Sequence, residues 1–214
     1  MRLYTCRGAP HAARVQLYVA EKAASGIDIP LEPLEVDLRA GEHRMPAHLA
    51  RNRAGTVPVL EIQPGVYLTE SLAIVEYLEE CFPHPPMWGV TPLSRARQRE
   101  LDRIAELRVL RPIAQWVNAT NSPLGQDPDP GAAKGYEKAA ASGISQIDAA
   151  LQDGQDYLGG DSCGIADCTL AAGLDFGLKR GFALPDGASA LNDWIRRFWS
   201  RRSSSEHLRW TPTP

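Results

Sequence analysis

Thr56-Val57-Pro58-Val59-Leu60-Glu61-Ile62-Gln63-Pro64-Gly65-Val66-Tyr67-Leu68-Thr69-Glu70-Ser71-Leu72 is the stretch that decides the fold. Val57 to Ile62 reads as a strand, Gln63-Pro64-Gly65 as its turn and Val66-Tyr67-Leu68 as the return strand. Leu72, Val75, Leu78 and Phe82 follow at spacings of 3, 3 and 4, the period of a helix with one apolar stripe. Toward the N-terminus, Gly41 to Gly55 is polar and irregular. Before it, from Leu31 to Leu38, Leu34, Val36 and Leu38 alternate with Glu35 and Asp37, as in a half-buried strand. Ala12, Val15, Tyr18, Val19 and Lys22 make a helical stripe that ends near Gly26. Residues 2–6 form a short extended run ahead of the Gly8-Ala9-Pro10 break. Strand, helix, strand, then strand, strand, helix is a small α/β sandwich of about 80 residues.

Beyond it the rhythm changes. Pro83, Pro85, Pro86 and Pro92 deny the Cys81–Pro92 segment regular structure and suit it to a linker. Leu93, Ala96, Leu101, Ile104, Ala105 and Leu107 run through a long helix toward Pro112, where a kink is expected. Asn121 to Gly131 is a loop rich in Pro, Asp and Gly. Tyr136, Ala140, Ile144, Ile147 and Leu151 repeat at 4, 4, 3 and 4, the clearest amphipathic helix of the chain. Ile165 to Leu178 is apolar almost all round and should be buried on every side. Leu191, Trp194, Ile195 and Phe198 begin a last helix, and Ser203-Ser204-Ser205 with the tail after Trp210 read as a loosely held end. The expected domains are 1–82 and 93–214, joined by a linker at 83–92.

Composition narrows the function classes. The 214 residues are 43% hydrophobic and 23% charged with a net charge of −3, which fits a folded globular chain. That balance gives no basic surface for nucleic acid. No apolar run approaches the ~20 residues that span a bilayer, and the first residues lack the apolar stretch of a secretory signal. Cys6, Cys81, Cys163 and Cys168 lack zinc-type spacings and are too few for a disulfide scaffold. Free thiols in a reducing, cytoplasmic setting are expected, and the five scattered histidines support no metal site.

Pro58 stands inside an apolar strand pattern, where proline removes a ladder hydrogen bond. A cis Val57–Pro58 bond at the strand's start accommodates it and turns the Val57 backbone N–H and C=O toward the surface; a plain edge strand does so too. Twelve residues on, Thr69-Glu70-Ser71-Leu72 opens a helix. Its backbone amides and the Ser71 hydroxyl suit a ligand carboxylate, and the Glu70 carboxylate suits an ammonium group. A ligand with both groups at one end is an α-amino acid, and the Val57 backbone can pair with a peptide main chain by strand addition. The residues point to a small peptide with a free amino-acid end, against the plainer reading that Glu70 and Ser71 only cap their helix.

These residues resemble the glutathione transferase superfamily along nearly the whole chain. Gly41-Glu42-His43-Arg44 with Asn52-Arg53-Ala54-Gly55-Thr56-Val57-Pro58-Val59-Leu60 is similar to the family's glutathione-binding loop and cis-proline strand. Thr69-Glu70-Ser71-Leu72-Ala73-Ile74 with Tyr77-Leu78 resembles the helix that holds the γ-glutamyl end. Gly164-Ile165-Ala166-Asp167 with Thr169-Leu170-Ala171 resembles the helix start that acts as a folding signature in the second domain. The resemblance implies an α/β thioredoxin-like N-terminal domain plus an all-α C-terminal helical domain, with glutathione as co-substrate. It implies that Val57 pairs with the cysteinyl part beside cis Pro58 and that Glu70 and Ser71 hold the γ-glutamyl group next to Thr56. His43 and Arg44 are placed near the glycyl carboxylate, where a cationic donor is sensible, and Asp167 accepts from the backbone at its helix start. It further implies a homodimer and a small apolar electrophile held between the domains. Trp116, Val109 and their neighbours offer apolar lining there, but Trp116 reads rather as core or as packing at the expected kink, so no acceptor-site residue is assigned.

The chain departs from the family where the thiolate should be held. A thiol with pKa near ~8.5 is only a few per cent ionised at pH 7, and the position where many classes place Ser, Thr or Cys carries Ala9. His11 sits where some bacterial relatives carry a helpful asparagine, and its imidazole N–H can do that work. Thr5 or Tyr4 offers a hydroxyl at the end of the first strand, and backbone N–H groups at the helix start add to any of these. Cys6, in Cys6-Arg7-Gly8-Ala9, stands in a Cys-x-x-Cys spacing without its second cysteine and three residues out of family register. A helix N-terminus and Arg7 should lower its pKa. Three functions follow: conjugation or exchange of the glutathione thiol on small apolar electrophiles, a non-catalytic transferase-like binding protein, or a glutathione-dependent disulfide reductase using Cys6.

Overall fold

The sheet that organises the first half has strand order β2-β1-β3-β4. It was read from a computed structural model of the chain, which describes residues 1–152 and 154–211. The chain separates into two compact units, Met1–Pro85 and Pro86–Pro214, with the division inside the proline-rich 83–92 stretch.

In the first unit β1 (Arg2–Thr5) leads into α1 (Pro10–Ala24), which returns the chain to β2 (Glu32–Glu35), parallel to β1. The strand expected over 31–38 is shorter than its alternation suggested. Val36 still donates its N–H to the Thr5 carbonyl at 2.7 Å and is buried. The Asp37 carboxylate then accepts from the Arg39 and Ala40 N–H groups at 2.8 and 2.9 Å, an Asx turn that bends the chain away from the sheet. Pro33 is tolerated because β2 is an edge strand. The segment expected to be irregular between Gly41 and Gly55 contains a single 3-10 turn, Glu42–Arg44, and the short α2, Pro46–Leu49. β3 (Val59–Gln63) and β4 (Val66–Leu68) pair antiparallel around a turn in which Gly65 takes φ 79°, and α3 (Ser71–Cys81) closes the unit. Leu3, Val15, Leu17, Tyr18, Leu60 and Leu78 form its core, each 1% exposed or less.

The elements described in the second unit are helices, with one isolated bridge between Tyr157 and Gly160. Thr91 and Ser94 exchange hydrogen bonds in a capping box at the start of α4, Pro92–Ile104. The disturbance expected at Pro112 lies upstream of it: Ala105–Leu110 is π-helical, and the Arg111 N–H reaches back to the Glu106 carbonyl. Pro112 has no N–H to give the Arg108 carbonyl, and the widened turns precede that gap. The Arg108 carbonyl abuts Gly143, where any Cβ would overlap it. α5 (Arg111–Asn121) and α6 (Pro130–Leu151) follow, the latter capped by Asp129 and begun well ahead of the Tyr136 stripe. α7 (Ile165–Leu178) is buried over its whole length but for the last residue, as its all-round apolarity required.

Asp167 accounts for the start of α7. Its carboxylate accepts from the Gly164 and Leu158 N–H groups at 2.8 and 2.9 Å and from the Trp194 indole at 2.8 Å. Complete burial pushes this carboxyl up to about 6, against the pull of those donors. α8 is Ser189–Trp199.

The loosely held end expected at Ser203–Ser205 is instead helical: α9 spans Arg202–His207, with Ser203 and Ser204 buried and the Ser204 hydroxyl donating to the Phe198 carbonyl at 2.6 Å. Asp175 accepts from the Arg209 and Trp210 N–H groups at 2.6 and 2.7 Å, and the Trp199 indole donates to the Trp210 carbonyl. Aromatic packing of Trp199 on Trp210, with ring centroids 5.7 Å apart, explains why a serine run is ordered here. The last part of the expected loose tail, 212–214, lies outside the described residues.

Candidate functional site

Sheet register gathers the sequence-selected residues at one end of the first unit. β1 is antiparallel to β3 with Tyr4 opposite Val59, so the end of β1, at Thr5 and Cys6, meets the start of β3, at Val57 and Pro58. β4 is antiparallel to β3 with Leu60 opposite Leu68, so Thr69-Glu70-Ser71 emerges at that same end. α1 begins there too. The Arg14 guanidinium donates through Nη1 to Ser71 Oγ at 3.2 Å, and Ser71 Oγ lies 3.4 Å from His11 Nδ1. The Val57–Pro58 peptide bond is cis.

Glu70 is the backbone exception. Its φ of 66° makes it the one non-glycine residue with positive φ among the described residues. For a residue with a Cβ such a conformation costs about 1–3 kcal/mol and persists where the surroundings require it. The side chain is exposed and makes no hydrogen bond or ion pair among the described residues. No side chain caps α3 behind it. The positive end of the α3 dipole and an unneutralised carboxylate therefore stand together, a pair suited to the carboxylate and ammonium of one amino-acid end.

The loop on the other side of Val57 is held from within. Asn52 donates through Nδ2 to the Thr56 carbonyl at 3.0 Å and to Thr56 Oγ1 at 2.8 Å, while His48 Nε2 meets the same carbonyl at 3.0 Å. A carbonyl only accepts, so Nε2 carries the proton and His48 fixes the peptide that leads into Val57. His43 is 9% exposed, and burial, aided by the charge of Arg44, holds its imidazole below the ordinary histidine range. That favours its neutral form. The cationic donor expected from this pair is the exposed Arg44 alone.

Around the missing hydroxyl at Ala9 the alternatives separate. Ala9 precedes Pro10 at the α1 N-terminus with no side-chain cap. Thr5 is 2% exposed and its hydroxyl accepts from Gln16 Nε2 at 3.3 Å, whereas the Tyr4 hydroxyl donates to Glu61 at 3.1 Å. The lowered pKa expected for Cys6 is not what the structure gives. Burial, then the Glu35 carboxylate, pushes the thiol up. That same Glu35 accepts from the Arg7 backbone N–H at 2.8 Å. His11, partly exposed, stands at the α1 start with its Nδ1 beside Ser71 Oγ.

Sequence reasoning missed Arg14 and His48. Arg14 is fully buried on α1, and with His11, Tyr18 and Lys22 it forms a polar seam against α3. Tyr18 donates to Glu79 at 2.8 Å, and Lys22 pairs with Glu79 at 2.7 Å while capping the Phe82 and Pro85 carbonyls. The signal was present in the 3, 4, 4 spacing of four polar residues along an otherwise buried helix face. Within the helical unit, a cavity of about 490 Å³ is lined by Trp116, Thr120, Pro128, Pro130 and Lys134 among others. Trp116 packs edge-on to Phe182 and Val109 is fully buried.

A thioredoxin-like sheet domain with its polar end at a cis-proline, followed by an all-helical domain, defines the class of protein. Residues 1–80 match the glutathione S-transferase N-terminal domain family, and residues 112–202 the C-terminal one. Glutathione S-transferase 2 of Saccharomyces cerevisiae is 32% identical over 213 residues, 97% of this chain and 89% of that protein. A maleylacetoacetate isomerase of Pseudomonas aeruginosa is 32% identical over 192 residues, 86% of this chain and 84% of that one. The crystal structure of Gtt2 from Saccharomyces cerevisiae superposes with a TM-score of 0.86 at 30% identity, covering 97% of this chain and 100% of that one. The chain belongs to the glutathione S-transferase superfamily.

Proposed function

We infer that this protein binds glutathione and transfers or exchanges its thiol on small apolar electrophiles. The observation that carries the reading is Glu70, strained to φ 66° and unneutralised, at the same end of the sheet as cis Pro58. Glu70 and the Ser71 amide and hydroxyl receive the γ-glutamyl end, with Thr56 beside them. The Val57 backbone pairs with the cysteinyl part next to Pro58. Arg44, with neutral His43 as a second donor, meets the glycyl carboxylate. His11 replaces the family hydroxyl missing at Ala9, since Tyr4 gives its hydroxyl proton to Glu61 and Thr5 is buried.

In this reading 1–82 holds glutathione, 83–92 links, and 93–214 supplies the acceptor side of a cytoplasmic homodimer. Calorimetry with reduced glutathione tests the binding half: association at or below millimolar concentration is expected, and its absence ends the reading. Conjugation assays across several electrophiles test the chemical half. Maleylacetoacetate belongs in that panel, because one relative bears the name of its isomerase. His11→Ala should remove most turnover while binding persists; glutathione binding without turnover in either form would favour a carrier. The Cys6 reductase reading is disfavoured by the raised thiol, and an unchanged rate in Cys6→Ser would remove it.

A further inference from the structure

We propose that His48 is a positioning residue for the cysteinyl part of glutathione: with Asn52 it pins the Thr56 carbonyl and so aims the Val57 N–H at the ligand's main chain. The proposal rests on the glutathione reading above and names what sets its Val57 contact. His48 and Asn52 stand one helical turn apart, and the Asn52 N–H donates to the His48 carbonyl at 2.9 Å, which places both side chains on one face. Both reach the same atom. His48 Nε2 and Asn52 Nδ2 each lie 3.0 Å from the Thr56 carbonyl oxygen, whose two lone pairs are thereby used. Asn52 Nδ2 gives its second proton to Thr56 Oγ1 at 2.8 Å, and Asn52 Oδ1 accepts from the Ala54 N–H at 3.0 Å, so this amide is held in one orientation.

The Thr56–Val57 peptide is trans, the cis bonds among the described residues being Val57–Pro58 and His84–Pro85. A trans peptide is planar, with its N–H directed opposite to its C=O. Holding the Thr56 carbonyl against His48 and Asn52 therefore turns the Val57 N–H the other way, and that N–H bonds to no described residue. A carbonyl of a peptide ligand is the acceptor it fits, as in strand addition. Packing alone does not account for the imidazole. His48 is 3% exposed, and its Nδ1 is buried with no partner among the described residues. A buried ring nitrogen left unpaired costs stability, a cost that an apolar side chain of equal volume avoids. What the apolar side chain lacks is the second donor to Thr56. One donor leaves the peptide to rock about a single hydrogen bond; two fix its plane.

Two variants separate positioning from packing. His48→Phe keeps a ring and removes the donor, whereas His48→Gln places an amide N–H where the Nε2–H stood. In calorimetry His48→Phe should weaken glutathione binding about tenfold, the scale of one lost hydrogen bond, and His48→Gln should restore it to within about twofold. γ-Glutamylcysteine lacks the glycyl residue that Arg44 meets but still pairs with Val57, so it should lose the same factor. Unchanged binding in folded His48→Phe, an equal loss in His48→Gln, or a loss confined to glutathione overturns the proposal. Nitrogen-15 and amide-exchange NMR of the unaltered protein decide the matter even where His48→Phe does not fold. The expected result is an Nε2–H tautomer at His48 and a Val57 amide that glutathione protects from exchange. The other tautomer, or equal Val57 protection with and without glutathione, sinks the positioning role while the function reading survives. Absence of glutathione binding to the unaltered protein removes both.

Discussion

Glu70 holds backbone strain at the start of α3. If φ 66° serves the ligand, Glu70→Gly should raise thermal stability by about 1 kcal/mol while weakening glutathione binding, read by melting and by calorimetry. A loss of stability instead would mean that the side chain supports the fold. Asp167 makes a prediction in pH. Its folded pKa, about 6, lies above the unfolded value near ~3.9, so the stability it confers is full below pH ~4 and is lost as pH rises through 6. Asp167→Asn should be less stable than the unaltered protein at pH 4. That deficit should narrow by up to about 3 kcal/mol by pH 6 in denaturant titrations; a constant or widening deficit would show that its three donors outweigh burial. Pro58, Glu70 and Ser71 were legible because each breaks a local rule or starts an element. Neutral His43 and buried Arg14 were not, because burial of a polar side chain depends on what packs over it, and that partner lies elsewhere in the chain.

Among the elements, the α1–α3 seam is the clearest departure from an oily interface. Lys22 has no exposed side-chain surface and three acceptors: Glu79, the Phe82 carbonyl and the Pro85 carbonyl. Lys22→Met removes the cation paired with Glu79 and the donor to two carbonyls and should cost about 3 kcal/mol, and adding Glu79→Leu should recover part of it, as a double-mutant cycle would measure. Gly143→Ala should cost about 3 kcal/mol, because the new methyl meets the Arg108 carbonyl where α6 crosses the π-helical segment. The buried stripe of α6 and the all-round burial of α7 were legible from periodicity alone. The π-helical segment and α9 were not: the first answers a proline's missing donor together with a neighbouring glycine, and the second is fixed by tryptophans that a local window does not connect.

At the scale of the whole chain, the α/β-then-α order was plain in the sequence, since each half has its own hydrophobic period and prolines mark the change. Its four cysteines are all free thiols, and Cys163 and Cys168 are buried. A reductant should therefore leave the unfolding midpoint unchanged; a lowered midpoint would reveal a cross-link. The polar seam also bears on building hybrids with other members of the superfamily. Apolar helix faces accept foreign partners so long as volume is kept, but His11, Arg14, Tyr18 and Lys22 each answer a particular atom on α3 or just beyond it. Transplanting one of these helices alone would orphan two ionic groups and a hydroxyl, so the sequence from Pro10 to Pro85 must travel as a single cassette.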